Sequence, residues 1–512
     1  MLVKTFGSAV YGVEAITISV EVTVMNGKNT FMVGLPDNAV KESVQRIESA
    51  FKANGYYFPR QKVVINLAPA DIRKSGSAFD LPMAIGLLGA TGQMDNRDLL
   101  GDFVLMGEMG LDGSIHPIRG ALPIAINTRK EQFRGLILPK QNAREAAMVN
   151  NLDVFGVHHI NEVIAFLNNP ELLQPVRVNT REEFLQSQYE FDMDFCDVKG
   201  QENIKRAMEI AAAGGHNLIL IGPPGAGKTM LAKRLPTILP PLSLQEALET
   251  TKIHSVAGKL PEHATLINKR PFRSPHHTIS DVALVGGGGV PQPGEISLAH
   301  NGVLFLDELP EFKRSVLEVM RQPMEERRVT ISRAKIALDF PASFMLVASM
   351  NPCPCGFYNH PEKECTCHPG VVQKYLNKVS GPLLDRIDLH VEVTPVAFGE
   401  LSLHSGRENS EAIRHRVIAA RQIQEGRFRE LTGIYANAQI TARQLKEYCY
   451  LESSSMKLLK TAMEKLNLSA RAFDRILKVS RTIADLAGCP SILPEHVAEA
   501  IQYRSLDRTS WG

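Results

Sequence analysis

The chain has 512 residues, of which 44% are hydrophobic and 22% charged, and its formal net charge at pH 7 is +2. This length allows about three domains, and the composition is typical of a globular protein. No apolar run approaches the roughly 18 residues of a membrane-spanning helix, so no membrane contact is predicted. The first residues lack a secretory apolar core, and the seven cysteines do not form a secreted disulfide pattern. We therefore expect a cytoplasmic protein.

The first block, residues 1–174, mixes strand and helix patterns. Alternation of apolar and polar residues over 17–24, 62–66 and 135–138 predicts strands, and the spacing over Asn38–Ala53 predicts a helix. The apolar run LPMAIGLLGATG, which begins at Leu81, predicts a buried helix. These elements together predict an α/β or α+β unit.

Three further segments follow along the chain. Residues 175–194 are polar and acidic, which is typical of a linker. In residues 195–395 the apolar runs NLILIG, VLFLDE and FMLVAS alternate with helical patterns, which predicts a parallel sheet covered on both faces. Residues 396–512 repeat apolar positions every three to four residues, which predicts a helical C-terminal region.

The strongest motif is GPPGAGKT, which fits the phosphate-binding pattern GxxxxGK-S/T between a strand pattern and a helix pattern. Glycines let backbone N–H groups surround a phosphate, and the following helix directs its positive end toward the same anion. Lys228 would reach the β- and γ-phosphates of ATP, and the Thr229 hydroxyl would bind Mg²⁺. The predicted nucleotide contacts are Gly222, Pro223, Pro224, Gly225, Ala226, Gly227, Lys228, Thr229 and Met230.

Two later strand patterns end in polar residues that suit ATP hydrolysis. VLFLDELPEF ends its apolar run at Asp307, predicted to help hold Mg²⁺, and at Glu308, predicted to polarise the attacking water. The run before Asn351 would place that amide beside the γ-phosphate, because ligands bind at the carboxyl ends of parallel strands. The alternative for Asn351 is a turn residue before Pro352.

These motifs resemble the Walker A, Walker B and sensor 1 motifs of AAA+ ATPases. The segment SGPLLDRIDLHVEV, from Ser380, resembles the arginine-finger segment of that superfamily, which makes Arg386 the finger. An arginine finger acts on the γ-phosphate of a neighbouring subunit, so the resemblance implies a homo-oligomer. The alternative is a surface arginine paired with Asp385 or Asp388.

The helical tail contains SARAFDRILKVSRTIADLAG, which resembles the sensor 2 helix of AAA+ proteins. Arg471 is the first choice for the sensor 2 residue. Arg475 and Arg481 compete for that role.

The middle block narrows the resemblance further. The segment before Walker B contains Gly286 to Gly289 and resembles the helix-2 insertion of the magnesium-chelatase and MCM branch, with the glycines expected at a mobile loop tip. RRVTISRAKIALDFPASF, from Arg327, resembles the pre-sensor-1 hairpin of that branch. The chain is identified as a member of the magnesium-chelatase-like YifB/ComM family. Membership implies a ring, expected to be a hexamer, that acts on DNA.

The N-terminal block resembles a Lon-protease-type domain. INLAPADIRKSGSAFDLPMAIGLL resembles the segment with the catalytic serine and places Ser77 near it, but Leu122 stands where the catalytic lysine is expected. Without a general base a serine is a poor nucleophile, and nothing in the sequence shows that Lys74 meets Ser77. We expect a scaffold or nucleic-acid platform rather than a protease.

Four cysteines are clustered directly after Asn351. Cys353, Cys355, Cys365 and Cys367 match the ligand set of a tetrahedral zinc site, although two CxC pairs are an unusual spacing. His360 or His368 would be able to replace one sulfur. The alternatives to Zn²⁺ are four free thiols or a redox pair.

The near-neutral net charge neither demands nor excludes nucleic acid, so DNA contacts must come from local basic loops. Such residues lie on the predicted hairpin, namely Arg327, Arg328, Arg333 and Lys335, and near the glycine loop, namely Lys269, Arg270 and Arg273. Lys335, Arg333 and Arg273 are the predicted DNA contacts, and the alternative for each is a solvated surface charge.

The favoured function is an ATP-dependent helicase on single-stranded or branched DNA, which promotes branch migration when incoming DNA recombines during natural transformation. The alternatives are a chelatase-type motor subunit that drives metal insertion, and a protein-remodelling AAA+ ATPase.

Overall fold

A computed structural model describes residues 2–186, 188–261, 266–289, 291–333, 336–358, 360, 363–395, 408–431 and 433–504. Within these ranges, no helix combines the length and the hydropathy needed to span a bilayer. The fold is mixed α/β with a parallel sheet and a helical C-terminal region, as predicted from the sequence.

A seven-stranded sheet organises the N-terminal region, in the order β3-β4-β2-β1-β5-β8-β9, and β6 pairs with β7 in a separate ribbon. The strands are β1 (Leu2–Tyr11), β2 (Glu14–Met25), β3 (Thr30–Val33), β4 (Lys62–Ala68), β5 (Phe103–Leu105), β6 (Glu108–Met109), β7 (Ile115–His116), β8 (Gly135–Pro139) and β9 (Asp153–Val157). Strand β2 is antiparallel to β1 and β4, whereas β5, β8 and β9 run parallel. The three predicted strands lie within β2, β4 and β8.

Helices pack on this sheet: α1 (Asn38–Ala53), α2 (Asp80–Thr91), α3 (Ala121–Lys130), α4 (Lys140–Ala146) and α5 (Ile160–Asn168). Helix α1 has the predicted bounds and begins where the Asp37 side chain accepts the Val40 N–H at 2.9 Å. Helix α2 is the predicted buried helix. Its first residue, Asp80, is buried, and Arg46 neutralises it at 2.7 Å.

The segment predicted as a linker, residues 175–194, contains the short helix α6 (Thr180–Gln186). Phe184 is buried in a cluster that also includes Leu242 and Ala247 of the following region. The segment therefore packs against the second region through Phe184, an aromatic residue within an otherwise acidic stretch. The boundaries 1–174, 195–395 and 396–512 stay predictions.

The second region is built on a five-stranded sheet in the order β11-β14-β17-β10-β18, in which all neighbours are parallel. The strands of this region are β10 (Leu218–Ile221), β11 (Phe272–Arg273), β12 (Gly286–Gly287), β13 (Gln292–Pro293), β14 (Val303–Leu306), β15 (Arg328–Arg333), β16 (Ile336–Pro341), β17 (Met345–Met350) and β18 (Leu389–Glu392). Every residue of β10, β14 and β17 is buried, which explains why these strands are continuous apolar runs.

The helices of this region are α7 (Glu202–Gly214), α8 (Lys228–Arg234), α9 (Leu244–Ala257), α10 (Asp281–Val285), α11 (Glu295–Leu298), α12 (Arg314–Glu318), α13 (Arg321–Glu326), α14 (Pro369–Leu376) and α15 (Gly381–Leu384). Helix α7 connects the second region to the C-terminal helices, because Met208 and Ile210 share one buried cluster with Ile476 and Ile483.

Two antiparallel hairpins extend from this core. The glycines predicted at a mobile loop tip form part of the first one, in which β12 pairs with β13. Gly286, Gly287 and Gly288 have positive φ values of 115°, 152° and 107°, which explains the run of glycines. The second hairpin, β15 with β16, is the predicted pre-sensor-1 hairpin. It packs on the core through its alternate residues Val329 and Ile331.

The C-terminal region is helical, as predicted: α16 (Ser410–Phe428), α17 (Ala442–Tyr448), α18 (Ser453–Leu466), α19 (Ala470–Leu486) and α20 (Pro494–Gln502).

Helix α9 of the second region faces the N-terminal sheet domain. The Gly120 N–H donates to the Ser255 carbonyl at 3.1 Å, and Lys252 pairs with Glu14 at 3.0 Å. The N-terminal region thus packs against the second region.

Candidate active site

The phosphate-binding loop joins β10 to α8 at the carboxyl edge of the core sheet. Its backbone requires glycine at two positions in particular. Gly227 has φ 87° directly before α8, in the left-handed region. A Cβ on Gly222 would lie 2.3 Å from the Val393 carbonyl oxygen, so only glycine lets the loop pass the end of β18.

Lys228 lies inside this loop. Its Nζ donates to the carbonyl oxygens of Gly222 at 2.7 Å and Pro223 at 2.9 Å, and to Asn351 Oδ1 at 3.1 Å. Burial lowers the pKa of Lys228, and the nearby charges of Asp307 and Glu308 oppose that shift. The structure therefore brings together the predicted Walker A lysine and the predicted sensor 1 asparagine, and all three donors of the Lys228 ammonium group are engaged.

The predicted Mg²⁺ ligands are also adjacent. Thr229 Oγ1 donates to Asp307 Oδ2 at 2.8 Å, across the gap between α8 and β14. The Ser349 hydroxyl, on β17, donates to Asp307 Oδ1. A hydroxyl and a carboxylate side by side are hard oxygen ligands of the kind that Mg²⁺ uses beside nucleotide phosphates. These residues fit the ion that the P-loop implies.

Glu308 follows Asp307 in a left-handed conformation, with φ 54°. Its N–H donates to Asp307 Oδ1 at 3.1 Å, which fixes its backbone at the end of β14. Its side chain is 59% exposed and lies 3.7 Å from Nδ1 of His277. A non-glycine residue in this conformation is uncommon and is found often at functional sites.

Arg386 lies at the opposite edge of the same sheet. Its carbonyl accepts from the Asn217 side chain at 3.0 Å, just before β10, whereas the phosphate-binding loop follows β10. Four strand residues separate the two edges, or about 13 Å at the usual rise of about 3.3 Å per residue. Arg386 therefore lies at the edge of the sheet opposite the phosphate-binding loop of its own chain.

The ion pairs around Arg386 differ from the alternative considered in the sequence analysis. Arg386 Nη2 pairs with Glu325 at 2.6 Å. Asp385 pairs with Arg471 at 2.8 Å, and Asp388 pairs with Arg475 at 3.0 Å. The alternative partners, Asp385 and Asp388, were therefore wrong for Arg386.

The three sensor 2 candidates lie along α19. Arg471 is 64% exposed, Arg475 is largely buried against Asp388, and Arg481 is buried against Asp485 at 3.0 Å. Asp385 and Asp388 precede β18, so Arg471 and Arg475 lie at the same sheet edge as Arg386. Arg471 is thus the most exposed of the three, but it is not beside its own phosphate-binding loop.

The four clustered cysteines converge on one point. Their sulfurs all lie within 4.8 Å of one another, with Sγ–Sγ separations of 3.2 Å for Cys353–Cys355, 3.5 Å for Cys355–Cys365 and 3.7 Å for Cys353–Cys365. Four sulfurs at about 2.3 Å from a tetrahedral Zn²⁺ would be about 3.8 Å apart. The cluster, completed by Cys367, therefore has the dimensions of a zinc site.

Several predicted DNA-contacting cations have partners within the chain. Arg273 makes two hydrogen bonds to Glu295, at 2.6 and 2.7 Å. Arg270 donates to the carbonyl oxygens of Pro240 and Asn301, at 2.6 and 2.8 Å. Glu295 of α11 therefore neutralises Arg273 within the chain, which argues against a contact of Arg273 with DNA phosphate.

The basic residues of the β15–β16 hairpin are the other predicted DNA-contacting candidates. Arg327 donates to the Gly433 carbonyl at 3.0 Å, and Arg328 lies 3.4 Å from Glu326. Arg333 is the last residue of β15, and its side chain lies outside the described part of the structure. Lys335 also lies outside the described residues. In sequence it stands between β15 and β16.

Nearly the whole chain is similar to known proteins. The family model described as magnesium chelatase, subunit ChlI, matches residues 194–401, its C-terminal model matches 407–504, and a third ChlI model matches 20–142. The competence protein ComM of Haemophilus influenzae is 43% identical over 510 residues, which cover 99% of this chain and 98% of that relative. The uncharacterized protein YifB of Salmonella typhimurium is 43% identical over 507 residues, which cover 98% and 96%.

The chain belongs to the YifB/ComM family of magnesium-chelatase-like proteins. This membership identifies an AAA+ ATPase, a class that uses ATP and Mg²⁺. The family relationship and the local geometry of the phosphate-binding loop thus agree.

The N-terminal region has a second relationship. Lon protease 2 of Bacillus subtilis is 32% identical over 154 residues, or 27% of this chain. Ser77 donates to Glu108, and the buried Lys74 donates to the Pro69 carbonyl. Leu122 is fully buried in the α3 core. Ser77 therefore bonds to a carboxylate, and the lysine close to it in sequence is engaged elsewhere.

Three residues that lie beside the predicted site residues of this YifB/ComM family member were not predicted from the sequence. Ser349 bonds Asp307, His277 lies beside Glu308, and Glu325 pairs with Arg386. Ser349 has a recognisable signal, since it is the one hydroxyl in the otherwise apolar strand β17. Glu325 had no local signal, because its partner is distant in sequence.

Proposed function

We propose that this ATPase is a ring-forming DNA motor, most specifically a helicase that promotes branch migration during recombination of incoming DNA. Its hexameric state and its DNA substrate, single-stranded or branched, are parts of this proposal. Two features support it: the relationship to a competence protein, and a two-stranded hairpin in which Arg333 ends the first strand and Lys335 stands in sequence between the strands. Such a hairpin offers cations to the phosphate backbone without reading bases.

The position of Arg386 supports the ring. A cation at the amino edge of the sheet, opposite its own phosphate-binding loop, is suited to a nucleotide held by a neighbouring chain. Arg471 lies at the same edge and would serve the same neighbouring nucleotide. A closed ring would give every subunit one nucleotide and one set of these arginines.

Within each subunit, different residues of the active site would have different roles in ATP hydrolysis. Lys228 and the loop N–H groups would hold the β- and γ-phosphates, and Thr229 and Asp307 would hold Mg²⁺, which neutralises phosphate charge when bound. Glu308 would accept the hydrogen bond of the attacking water and orient it. Asn351, which already accepts from Lys228, would contact the γ-phosphate.

We also propose that the four cysteines hold one structural Zn²⁺ per chain. The support is the convergence of four sulfurs at near-tetrahedral spacing. The segment that carries the cluster lies against the phosphate-binding loop, since a Cβ on Gly356 would lie 2.5 Å from Pro224 Cδ. A closed zinc site would hold that contact in place.

The test of the DNA proposal is ATP turnover and strand displacement with a forked duplex. Lys335→Ala should lose strand displacement and DNA-stimulated hydrolysis while it still binds ATP, because the hairpin cation contacts phosphate. Its log affinity should also fall less steeply with log salt concentration than that of the wild type, with a slope smaller in magnitude by about one. Arg273→Ala is the matched control: its charge is already neutralised by Glu295, so it should leave that slope unchanged.

Three outcomes would count against the proposal. Wild-type unwinding by Lys335→Ala would remove the hairpin from the mechanism. Stimulation by a porphyrin with partner subunits, but not by DNA, would favour the chelatase-type motor. Stimulation by unfolded protein alone would favour a protein-remodelling ATPase.

A further inference from the structure

A groove runs between the N-terminal region and the two hairpins of the second region. Its first part is a cavity of about 470 Å³, bordered by the end of β1, by the segment before α2 and by residues 117–119. The opposite wall includes Gly289 of the first hairpin and Leu338 of the β15–β16 hairpin. A second cavity, of about 760 Å³, adjoins the first, because Tyr11 and Arg73 line both. The two cavities form one continuous depression, the interdomain groove.

Two arginines border the interdomain groove without a partner. Arg73 and Arg119 are both exposed, and neither guanidinium has a hydrogen bond or an ion pair within the described part of the chain. Arg119 lies against Gly258 of the second region, since a Cβ on Gly258 would be 3.0 Å from Arg119 Nε. This contact holds the side chain at the boundary between the two regions while its charge stays uncompensated.

The acidic groups of the groove, in contrast, are compensated. The Asp37 carboxylate accepts two backbone N–H groups, at 2.9 and 3.2 Å. Glu108 accepts the Ser77 hydroxyl, and the charge of Asp71 acts on the buried ammonium group of Lys74. Among the described residues that line the groove, the uncompensated charges are therefore those of the two arginines, which favours an anionic occupant.

Tyr11 lies where the two cavities meet. It is the last residue of β1, and it is 37% exposed. An aromatic ring in a positively charged groove suits single-stranded nucleic acid, because every base has a face that stacks on the ring while the phosphates contact the cations. An unfolded polypeptide offers neither a regular row of anions nor a regular row of planar faces. The chemistry of the groove thus favours a nucleic-acid strand.

The groove is continuous with the hairpin proposed above to contact DNA. A Cβ on Gly12, in the turn after β1, would lie 3.7 Å from Leu338 Cδ2. Val13 of the same turn packs on the buried cluster that contains Val329. Leu338 is two residues from the start of β16, or about 7 Å along the strand, and Lys335 directly precedes β16 in sequence. A DNA strand held by Lys335 is therefore close to the groove.

We propose that the interdomain groove holds a segment of single-stranded DNA, with Arg73 and Arg119 on its phosphates and one base stacked on Tyr11. The strand then contacts the N-terminal region and both hairpins at once, so the N-terminal region forms part of the DNA path. Contacts to phosphates and to a ring face are independent of base sequence. This inference rests on the DNA function proposed above and adds a binding surface to it.

The experiment measures binding of a fluorescently labelled oligothymidylate to the full chain by anisotropy at several salt concentrations. Single strands give a slope of about 0.7 per phosphate contact, so Arg73→Ala combined with Arg119→Ala should make the slope smaller in magnitude by about 1.4. Arg73→Lys combined with Arg119→Lys keeps both charges and should retain the wild-type slope. Arg177→Ala is the matched control: this exposed arginine outside the groove pairs with Asp153 at 2.8 Å, so its removal should leave the slope unchanged.

Tyr11 gives a second measurement. Tyr11→Ala should weaken oligonucleotide binding at least about fivefold at unchanged slope, because a stacking surface is lost and no charge is lost. Tyr11→Phe keeps the ring and should bind as the wild type does. Ultraviolet crosslinking of wild-type protein to an oligonucleotide that contains 5-iodouracil should label the peptide with Tyr11, and this readout does not depend on the folding of any variant.

A wild-type slope in the double alanine variant, an equal change in Arg177→Ala, or crosslinks that miss Tyr11 would overturn the inference. Groove variants that lose binding of a reduced, unfolded polypeptide but keep that of DNA would also overturn it and would assign the groove to polypeptide. Binding that depends on Lys335 but not on the groove arginines would retain the DNA function and reject the groove. Wild-type protein that binds no oligonucleotide would instead remove the DNA function itself.

Discussion

Arg386 and Glu325 of the same chain form an ion pair of 2.6 Å between Nη2 and Oε1. Nη1 of Arg386 also donates to the Pro382 carbonyl at 2.6 Å, and the side chain is only 12% exposed. A cation in this position is already compensated within its own subunit. If it serves a neighbouring nucleotide as proposed, it would have to exchange or share the Glu325 carboxylate with a phosphate, which would make ATP binding and subunit contact interdependent.

The first prediction concerns this arginine. Arg386→Ala should bind ATP with little loss of affinity and hydrolyse it at least about 100-fold more slowly, because the transition-state charge on the neighbouring subunit's γ-phosphate loses its partner. Added to wild-type protein, the variant should inhibit mixed rings by more than its own share. Activity that falls only in proportion to the wild-type fraction would contradict action between subunits.

A second prediction separates nucleotide binding from hydrolysis. Lys228→Ala should abolish tight ATP binding, because the phosphates lose their main side-chain cation. Glu308→Gln should bind ATP normally and lose hydrolysis, because Thr229 and Asp307 are left intact while the water loses its acceptor. Fluorescent-nucleotide titration and phosphate release measure the two effects, and tight binding by Lys228→Ala would contradict the assignment.

A third prediction concerns the buried carboxylate of Asp388, directly before β18. Asp388 is buried, accepts the Asn217 N–H at 2.9 Å and pairs with Arg475. Asp388→Ala should lower the free energy of unfolding by about 3–5 kcal/mol, because it leaves a largely buried guanidinium without its partner. Asp385→Ala is the matched control; Arg471 is exposed, so the loss should be about 1 kcal/mol or less. Equal shifts of the denaturation midpoint in the two variants would contradict this account.

The same carboxylate gives a pH dependence. Burial would raise the pKa of Asp388, but the Arg475 charge and the nearby His216 ring, whose Nδ1 lies 3.5 Å from Asp388 Oδ2, outweigh it and hold the pKa below its usual range. The unfolded chain therefore binds a proton at higher pH than the folded one. The stabilisation from Asp388 is fully present above about pH 4 and is lost as the pH falls further, so the stability difference between wild type and Asp388→Ala should shrink in acid.

The parts of this fold that could be predicted are contiguous in sequence. Helix α1, the buried helix α2, the parallel strands and the phosphate-binding loop each carry their signal within one short segment. The pairs Arg386–Glu325, His277–Glu308 and Arg273–Glu295 could not be predicted, because each joins residues that only the packed core brings together. For the same reason, no local pattern indicates that Glu295 of α11 pairs with Arg273.

The cysteine cluster supplies the last prediction. Purified, freshly reduced protein should contain about one zinc per chain by elemental analysis, because four sulfurs within 4.8 Å of one another suit one tetrahedral ion. Cys353→Ser combined with Cys365→Ser should remove the zinc. It should also weaken ATP hydrolysis, because the loop that carries Gly356 against Pro224 loses its anchor. Cys196→Ser combined with Cys489→Ser is the matched control, since these two thiols lie outside the cluster, and it should retain the metal. Reduced wild-type protein free of metal would contradict the zinc assignment, whereas zinc loss with unchanged hydrolysis would confine the ion to a structural role away from the phosphate-binding loop.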